Sequence, residues 1–497
     1  LHPTSLPGPY GIGDIGPAAV AWLDLLKQTR QSWWQMLPVG PTGFGDSPYQ
    51  SFSTFAGNLN LLSPDLMIRD DLLRTEDVSG VQFPSDRVDF TAVEPFKLSL
   101  VRRAWGGFRE GSSPKLRDEF ESFRAGREWL DDYAMFMAIK DAHGGRAWFE
   151  WPEPLRKRDA KALQTARKEL KDAVDSYAFG QFLFFRQWHE LRQHAKDRDI
   201  RLIGDVPIFV APDSADVWAN PRSYLLDASL RPLVVAGVPP DYFSKTGQLW
   251  GNPHYDWAAM REDGYTWWIA RVRATLELVD VIRLDHFRGF CAAWQVPTNE
   301  LTAEVGEWVP GPGADLFLHL RAKLGDLPLI AEDLGEITPD VFDLRDDLGL
   351  PGMKIIQFAF DAPENKFLPH NYTPNCVAYT GTHDNDTTRG WYATAPEYER
   401  DYYRRYTSRD GADVAWDLIR LAWGSVADLA IAPLQDILDL GTDHRMNIPG
   451  TAQGNWRWRM WPDALNDWAR SRLIEMTDIY YRNPIAAAEK AKEPLQS

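Results

Sequence analysis

Short β-branched or apolar runs alternate with longer amphipathic segments along this 497-residue chain. That alternation restricts the fold to parallel strands joined by helical crossovers. Eight runs qualify: residues 33–37, 59–62, 201–208, 279–284, 329–331, 354–358, 377–380 and 429–432. Eight such units predict a closed (β/α)8 barrel, and residues 1–497 read as one catalytic barrel domain. Residues 64–199 show helical periodicity (Trp129, Leu130, Tyr133, Phe136, Met137) and are expected to form a mainly helical insertion plus a barrel helix. A second insertion, 211–264, is rich in Pro, Gly and aromatics, as lids and binding walls are.

The residues at the C-terminal ends of these runs carry the chemistry. The third run ends at Asp205, the fourth at Arg283, Asp285 and His286, the fifth at Glu332 and Asp333, the seventh at His383 and Asp384. In a barrel the C-terminal strand ends converge on one mouth. Capping alone accounts for a single Asp after a strand, but hardly for four endings of one chemical type. Arg283 and Asp285 are two apart and point to one face, and an adjacent Arg keeps a carboxylate ionised, as a nucleophile requires. Glu332, raised by burial and neighbouring carboxylates, would serve as the general acid. Two carboxylates flanking one bond make a glycosidase-type arrangement, retaining at a separation of about 5–5.5 Å.

Composition narrows the partners. Lys and Arg total 54 against 71 Asp and Glu, a net charge of −17 with no basic run, which argues against nucleic acid and anionic membrane surfaces. No apolar stretch approaches the roughly 18 residues of a spanning helix. The opening LHPTSLPGPYGIGD has no signal-peptide core and no initiator Met, so upstream trimming is expected. Two cysteines, Cys291 and Cys376, exclude a disulfide framework and fit a cytoplasmic location. The 22 tryptophans are mostly core in expectation, yet so large an excess with an acidic balance favours a carbohydrate partner. Residues 384–390 resemble a calcium loop but place Arg389 where Gly is obligatory, and no zinc, P-loop or dinucleotide spacing appears.

In this order, the segments resemble the 4-α-glucanotransferases of glycoside hydrolase family 77, from His2-Pro-Thr-Ser-Leu-Pro-Gly to Asn447-Ile-Pro-Gly-Thr451 and Asn455-Trp456. Trp33-Trp-Gln-Met-Leu-Pro38, Ser47-Pro-Tyr-Gln-Ser-Phe-Ser53, Gly237-Val-Pro-Pro-Asp-Tyr-Phe-Ser244 and Gly381-Thr-His-Asp-Asn-Asp386 are the most distinctive. The resemblance implies a TIM barrel with inserted subdomains and no C-terminal β-domain. It implies Asp285 as nucleophile, Glu332 as acid/base and Asp384 as transition-state stabiliser, with Arg283 and His383 in support and Asp205 as a further active-site carboxylate. It makes residues 237–253 a flexible lid with Asp241, Gln248 and Trp250 facing glucan, and Tyr49 an acceptor-side aromatic. The implied partners are α-1,4-glucans and maltooligosaccharides, with no cofactor and no metal. Pro212, Asn220 and Leu59 depart from the family pattern without touching a catalytic position. An α-glucan hydrolase with the same residues, or a silent glucan binder, are the rival readings.

Overall fold

The computed structural model describes residues 1–240 and 244–483. Its strands are β1 (Trp33–Gln35), β2 (Arg201–Pro207), β3 (Val234–Val238), β4 (Gln248–Pro253), β5 (Val281–Asp285), β6 (Ala292–Pro297), β7 (Glu307–Pro310), β8 (Leu329–Ala331), β9 (Gly352–Ile355), β10 (Cys376–Tyr379) and β11 (Leu429–Ile431). Seven of them are parallel and form two arcs, β1-β2-β5-β8 and β9-β10-β11. The arcs join where Ala331 N donates to Pro351 O at 2.9 Å and Met353 N to Asp333 Oδ1 at 2.7 Å. Through the interior Tyr379 Oη on β10 donates to Gln35 Oε1 on β1 at 2.9 Å, tying the second arc to the first.

Strand alternation then sorts the side chains. Ile203, Ile330, Met353, Ile355, Val377 and Tyr379 form one buried cluster, against which Trp33, Val281, Leu429 and Ile431 pack, so all seven parallel strands contribute to a single interior. The intervening residues, such as Leu202, Ile282, Ala331 and Ala378, face the helical layer. The α/β barrel class is as expected, with seven parallel strands among the described residues where eight were expected. Between β11 and β1 lies a cavity of about 170 Å³ bordered by Leu1, Trp33, Trp34, Leu429 and Ile431.

One expected strand is corrected. Residues 59–61 form a 3-10 turn, because the Asn58 side chain accepts from Asn60 N at 2.9 Å and bends the chain. Leu61 and Leu62 are fully buried, so the apolar run is core but not sheet. The run at 354–358 is half strand, turning into a 3-10 helix at Ile356–Phe358. The structure adds an antiparallel sheet, β4-β3-β6-β7, unforeseen in the sequence because its strands are short and rich in Gly, Pro and Trp.

Residues 64–199 hold helices Phe90–Gly111, Pro114–Ala125, Glu128–Ala142, Ala160–Glu169 and Lys171–Lys196. The last is lined with aromatics: Phe179 packs 4.5 Å from Phe108, and Trp188 Nε1 donates to Leu278 O at 2.8 Å. Thirteen of the 22 tryptophans are buried, Trp148, Trp188, Trp218, Trp268 and Trp416 almost completely, which accounts for much of the tryptophan excess. No further sheet follows β11 among the described residues.

Ile330 sits in the barrel interior beneath the mouth, 3 % exposed. Ile330→Ala should cost about 2–5 kcal/mol, the usual penalty for a cavity in a filled core. Denaturant unfolding measures it, and a loss under about 1 kcal/mol would show that this interior is not close-packed.

Candidate active site

The alternate positions that are apolar at the barrel floor become charged at its mouth. Ile203 is followed by Asp205, Val281 by Arg283 and Asp285, and Ile330 by Glu332. Register does the rest, since Asp205 lies opposite Arg283 and Pro207 opposite Asp285. Arg283 Nη1 donates to Asp205 Oδ2 at 2.6 Å and lies 2.9 Å from Asp285 Oδ1. Its Nε lies 3.4 Å from the Met353 sulfur on β9. Burial opposes the guanidinium's charge, but Asp205 and Asp285 more than reverse this and hold it firmly protonated. Tyr49 Oη also donates to Asp205 Oδ2, at 2.8 Å. Asp205 therefore stands behind Arg283, its side chain 1 % exposed, whereas Asp285 is 27 % open to the cleft.

Glu332 arrives from the neighbouring strand, and alternation separates it from Asp333. Asp333 turns away to pair with Arg345 and to stitch β8 to β9, while Glu332 enters the mouth. Its Oε2 accepts from His286 N at 2.7 Å and its Oε1 from Leu334 N at 3.0 Å. Burial is the largest influence on its carboxyl; Arg283 opposes it, Asp285 adds to it, and the balance pushes the group up to about 8. The His286 backbone that makes this contact is left-handed, φ 53°, a conformation that costs a non-glycine residue about 1–3 kcal/mol. Its buried ring is driven down to about 4, chiefly by desolvation, and is neutral at ordinary pH.

Opposite these, β10 runs out into the turn bearing His383 and Asp384. His383 stacks on Tyr49, centroids 5.2 Å apart and planes 15° from parallel, and its Nε2 is 3.3 Å from Asp384 Oδ2. Trp456 tilts against both rings, at 5.8 and 5.9 Å. From the antiparallel sheet, Trp250 presents its ring edge-on to His286 at 4.8 Å, and its Nε1 lies 3.3 Å from Gln248 Oε1. The stretch 237–253 is not a loop throughout: its ends are strands β3 and β4, paired Gly237 to Leu249 and Val238 to Gln248. Asp241 lies outside the described residues.

Three residues around Asp384 are not expected there from sequence. Asn447 Nδ2 donates to Asp384 Oδ1 at 2.6 Å, Arg445 Nη2 to Asp384 O at 2.9 Å, and Trp456 completes the aromatic floor. They come from a loop some sixty residues downstream of Asp384, and only the motifs Asn447-Ile-Pro-Gly and Asn455-Trp456 hint at them. No three His, Cys, Asp or Glu side chains gather to hold a metal ion among the described residues.

A barrel mouth with one carboxylate beside a buried cation and a second that is buried and proton-retaining is built for acid-assisted cleavage of a glycosidic bond. Comparison with known proteins specifies this further. A glycoside hydrolase family 77 model, described as 4-alpha-glucanotransferase, matches residues 1–464. The chain is 51% identical to a 4-alpha-glucanotransferase of Thermus thermophilus over 489 residues, 96% of this chain and 97% of that one. It is 49% identical to one of Synechocystis over 491 residues, covering 97% of each. The solved amylomaltase of Streptococcus agalactiae, in complex with acarbose, superposes with a TM-score of 0.94 at 38% identity, over 97% of this chain and 98% of that one. The chain belongs to glycoside hydrolase family 77, and it is a 4-α-glucanotransferase of the amylomaltase type.

The protonation state of Glu332 is also a stability term. An ordinary glutamate ionises near 4.5, whereas this one holds its proton to about 8, so the folded enzyme loses stability as pH rises through that window. Glu332→Gln abolishes the loss. Its stability relative to wild type should climb from pH 5 to pH 8.5, on the order of a few kcal/mol. Thermal melts at the two pH values test this, and parallel shifts of both proteins would refute it.

Proposed function

We propose that the enzyme moves α-1,4-glucan segments between maltooligosaccharides by a retaining double displacement. Asp285 attacks the anomeric carbon while Glu332 passes its proton to the departing glycosidic oxygen; the C1–O bond to the leaving glucan breaks and a β-linked glycosyl ester forms on Asp285. The 4-hydroxyl of an acceptor then gives its proton to Glu332 and attacks C1, displacing Asp285 and restoring an α-1,4 bond. Asp384 opposes the positive charge that develops on the sugar in both steps, and His383 and Arg283 support the ring and the nucleophile.

The observation that carries this reading is the contrast between the two carboxylates. Asp285 has a guanidinium 2.9 Å away, while Glu332 is buried and kept protonated up to about 8. Transfer further requires that a sugar hydroxyl outcompete water. Tyr49 and Trp456 pack around His383, and Trp250 with Gln248 brings the edge of the antiparallel sheet over His286. These aromatics give the cleft an apolar wall, which favours a glucan over water.

Incubation with maltotriose should yield glucose together with maltopentaose and longer chains, with little rise in reducing ends. Asp285→Ala should lower this turnover about a thousandfold or more while maltooligosaccharide binding persists. Retained turnover in that variant, or rising reducing ends in the wild type, would displace the proposal in favour of another nucleophile or of hydrolysis.

Glu332→Gln should lose activity on ordinary glucans, which need a proton on the leaving oxygen, but keep a substantial rate of glycosylation with a donor such as an α-glucosyl fluoride. Equal loss with both donors would remove Glu332 from the acid role.

A further inference from the structure

Asp384 is held from outside its own strand. Asn447 Nδ2 reaches its Oδ1 at 2.6 Å and Arg445 Nη2 its main-chain oxygen at 2.9 Å. Both donors begin a loop that closes on itself. Trp456 N donates to Met446 O at 2.6 Å, Ile448 N to Asn455 Oδ1 at 3.0 Å, and Asn455 Nδ2 to Thr451 O at 2.9 Å. The closure holds Trp456 in a left-handed conformation, φ 64°, with its ring against Tyr49 and His383. One loop thus grips the carboxylate and supplies part of the aromatic floor.

The grip matters because Asp384 is otherwise loosely placed. Its side chain is 48 % exposed on a turn at the cleft, and its other oxygen is 3.3 Å from His383 Nε2. A side chain so exposed samples several rotamers unless a short, charge-assisted hydrogen bond selects one. Asn suits this post, since its amide donates to the carboxylate without adding a cation that would offset the negative charge facing the sugar.

We propose that Asn447 is a positioning residue for transfer, setting the orientation of Asp384 and tying it to closure of the 446–456 loop. The inference rests on the reading of Asp384 as transition-state stabiliser. Because an oriented carboxylate acts most strongly on the charge of the transition state, loss of Asn447 falls on kcat rather than on KM.

The experiment compares kcat and KM for maltotriose disproportionation in wild type, Asn447→Ala, Asn447→Asp, Asp384→Asn and the Asp384→Asn/Asn447→Ala pair. Asn447→Ala should lower kcat about 10- to 100-fold, the range expected of a hydrogen bond to a charged group, with KM within about twofold of wild type. Asn447→Asp, which keeps the shape but sets an acceptor against Asp384, should be worse than Ala. A merely packing role would make the isosteric Asp the milder change. Asn447→Ala should add no further loss on top of Asp384→Asn. An Asn447→Asp variant near wild-type kcat, or a loss carried by KM, would overturn the inference alone. An Asp384→Asn variant near wild-type kcat would overturn the reading of Asp384 on which it rests.

Discussion

The barrel mouth is organised around one buried guanidinium. Arg283 lies between Asp205 and Asp285, touches Met353 of the other arc, and is 5 % exposed. Such a charge, taken out of water, is tolerated only with partners of good geometry, and two carboxylates provide them. Through Asp205 the same cation is linked to the Tyr49 hydroxyl, and so to the ring that stacks on His383. Its field also bears on Glu332, opposing the burial that keeps that group protonated. Asp285, Glu332 and the aromatic floor therefore share one electrostatic centre.

That centre depends on strand register. A slip of one residue between β2 and β5 would turn Arg283 and Asp285 into the helical layer and break the Asp205 to Arg283 pairing. Register is secured from below, where Ile203, Val281 and Ile330 occupy the same alternate positions in the apolar interior. The hydrophobic floor and the charged mouth are one pattern, read along each strand.

The same pattern explains what was legible in the sequence. Asp205, Arg283, Asp285 and Glu332 end strands whose apolar runs are plain, so a barrel hypothesis alone gathers them. Residues 59–62 mislead because a buried apolar run looks alike as strand and as turn, and the deciding feature is the Asn58 side chain. The antiparallel sheet escapes notice because β3, β4, β6 and β7 carry Gly, Pro and Trp in place of a clean alternation. Asn447 and Arg445 escape for another reason: they act on Asp384, about sixty positions away, through a loop with no periodicity to read. Asp205 is legible as a member of the mouth, but its place behind Arg283 emerges only from the packing.

One peptide link joins Asp285 and Glu332 at the left-handed corner of His286. His286 is joined covalently to Asp285 and gives its own N–H to Glu332, so a single peptide unit spans the pair. One contact of Glu332 is thereby made by the main chain next to Asp285, like the fixed jaw of a gauge. The hairpin with Trp250, the ring of Tyr49 and the loop that carries Trp456 lie outside this link, and their positions are set by side-chain and loop packing instead.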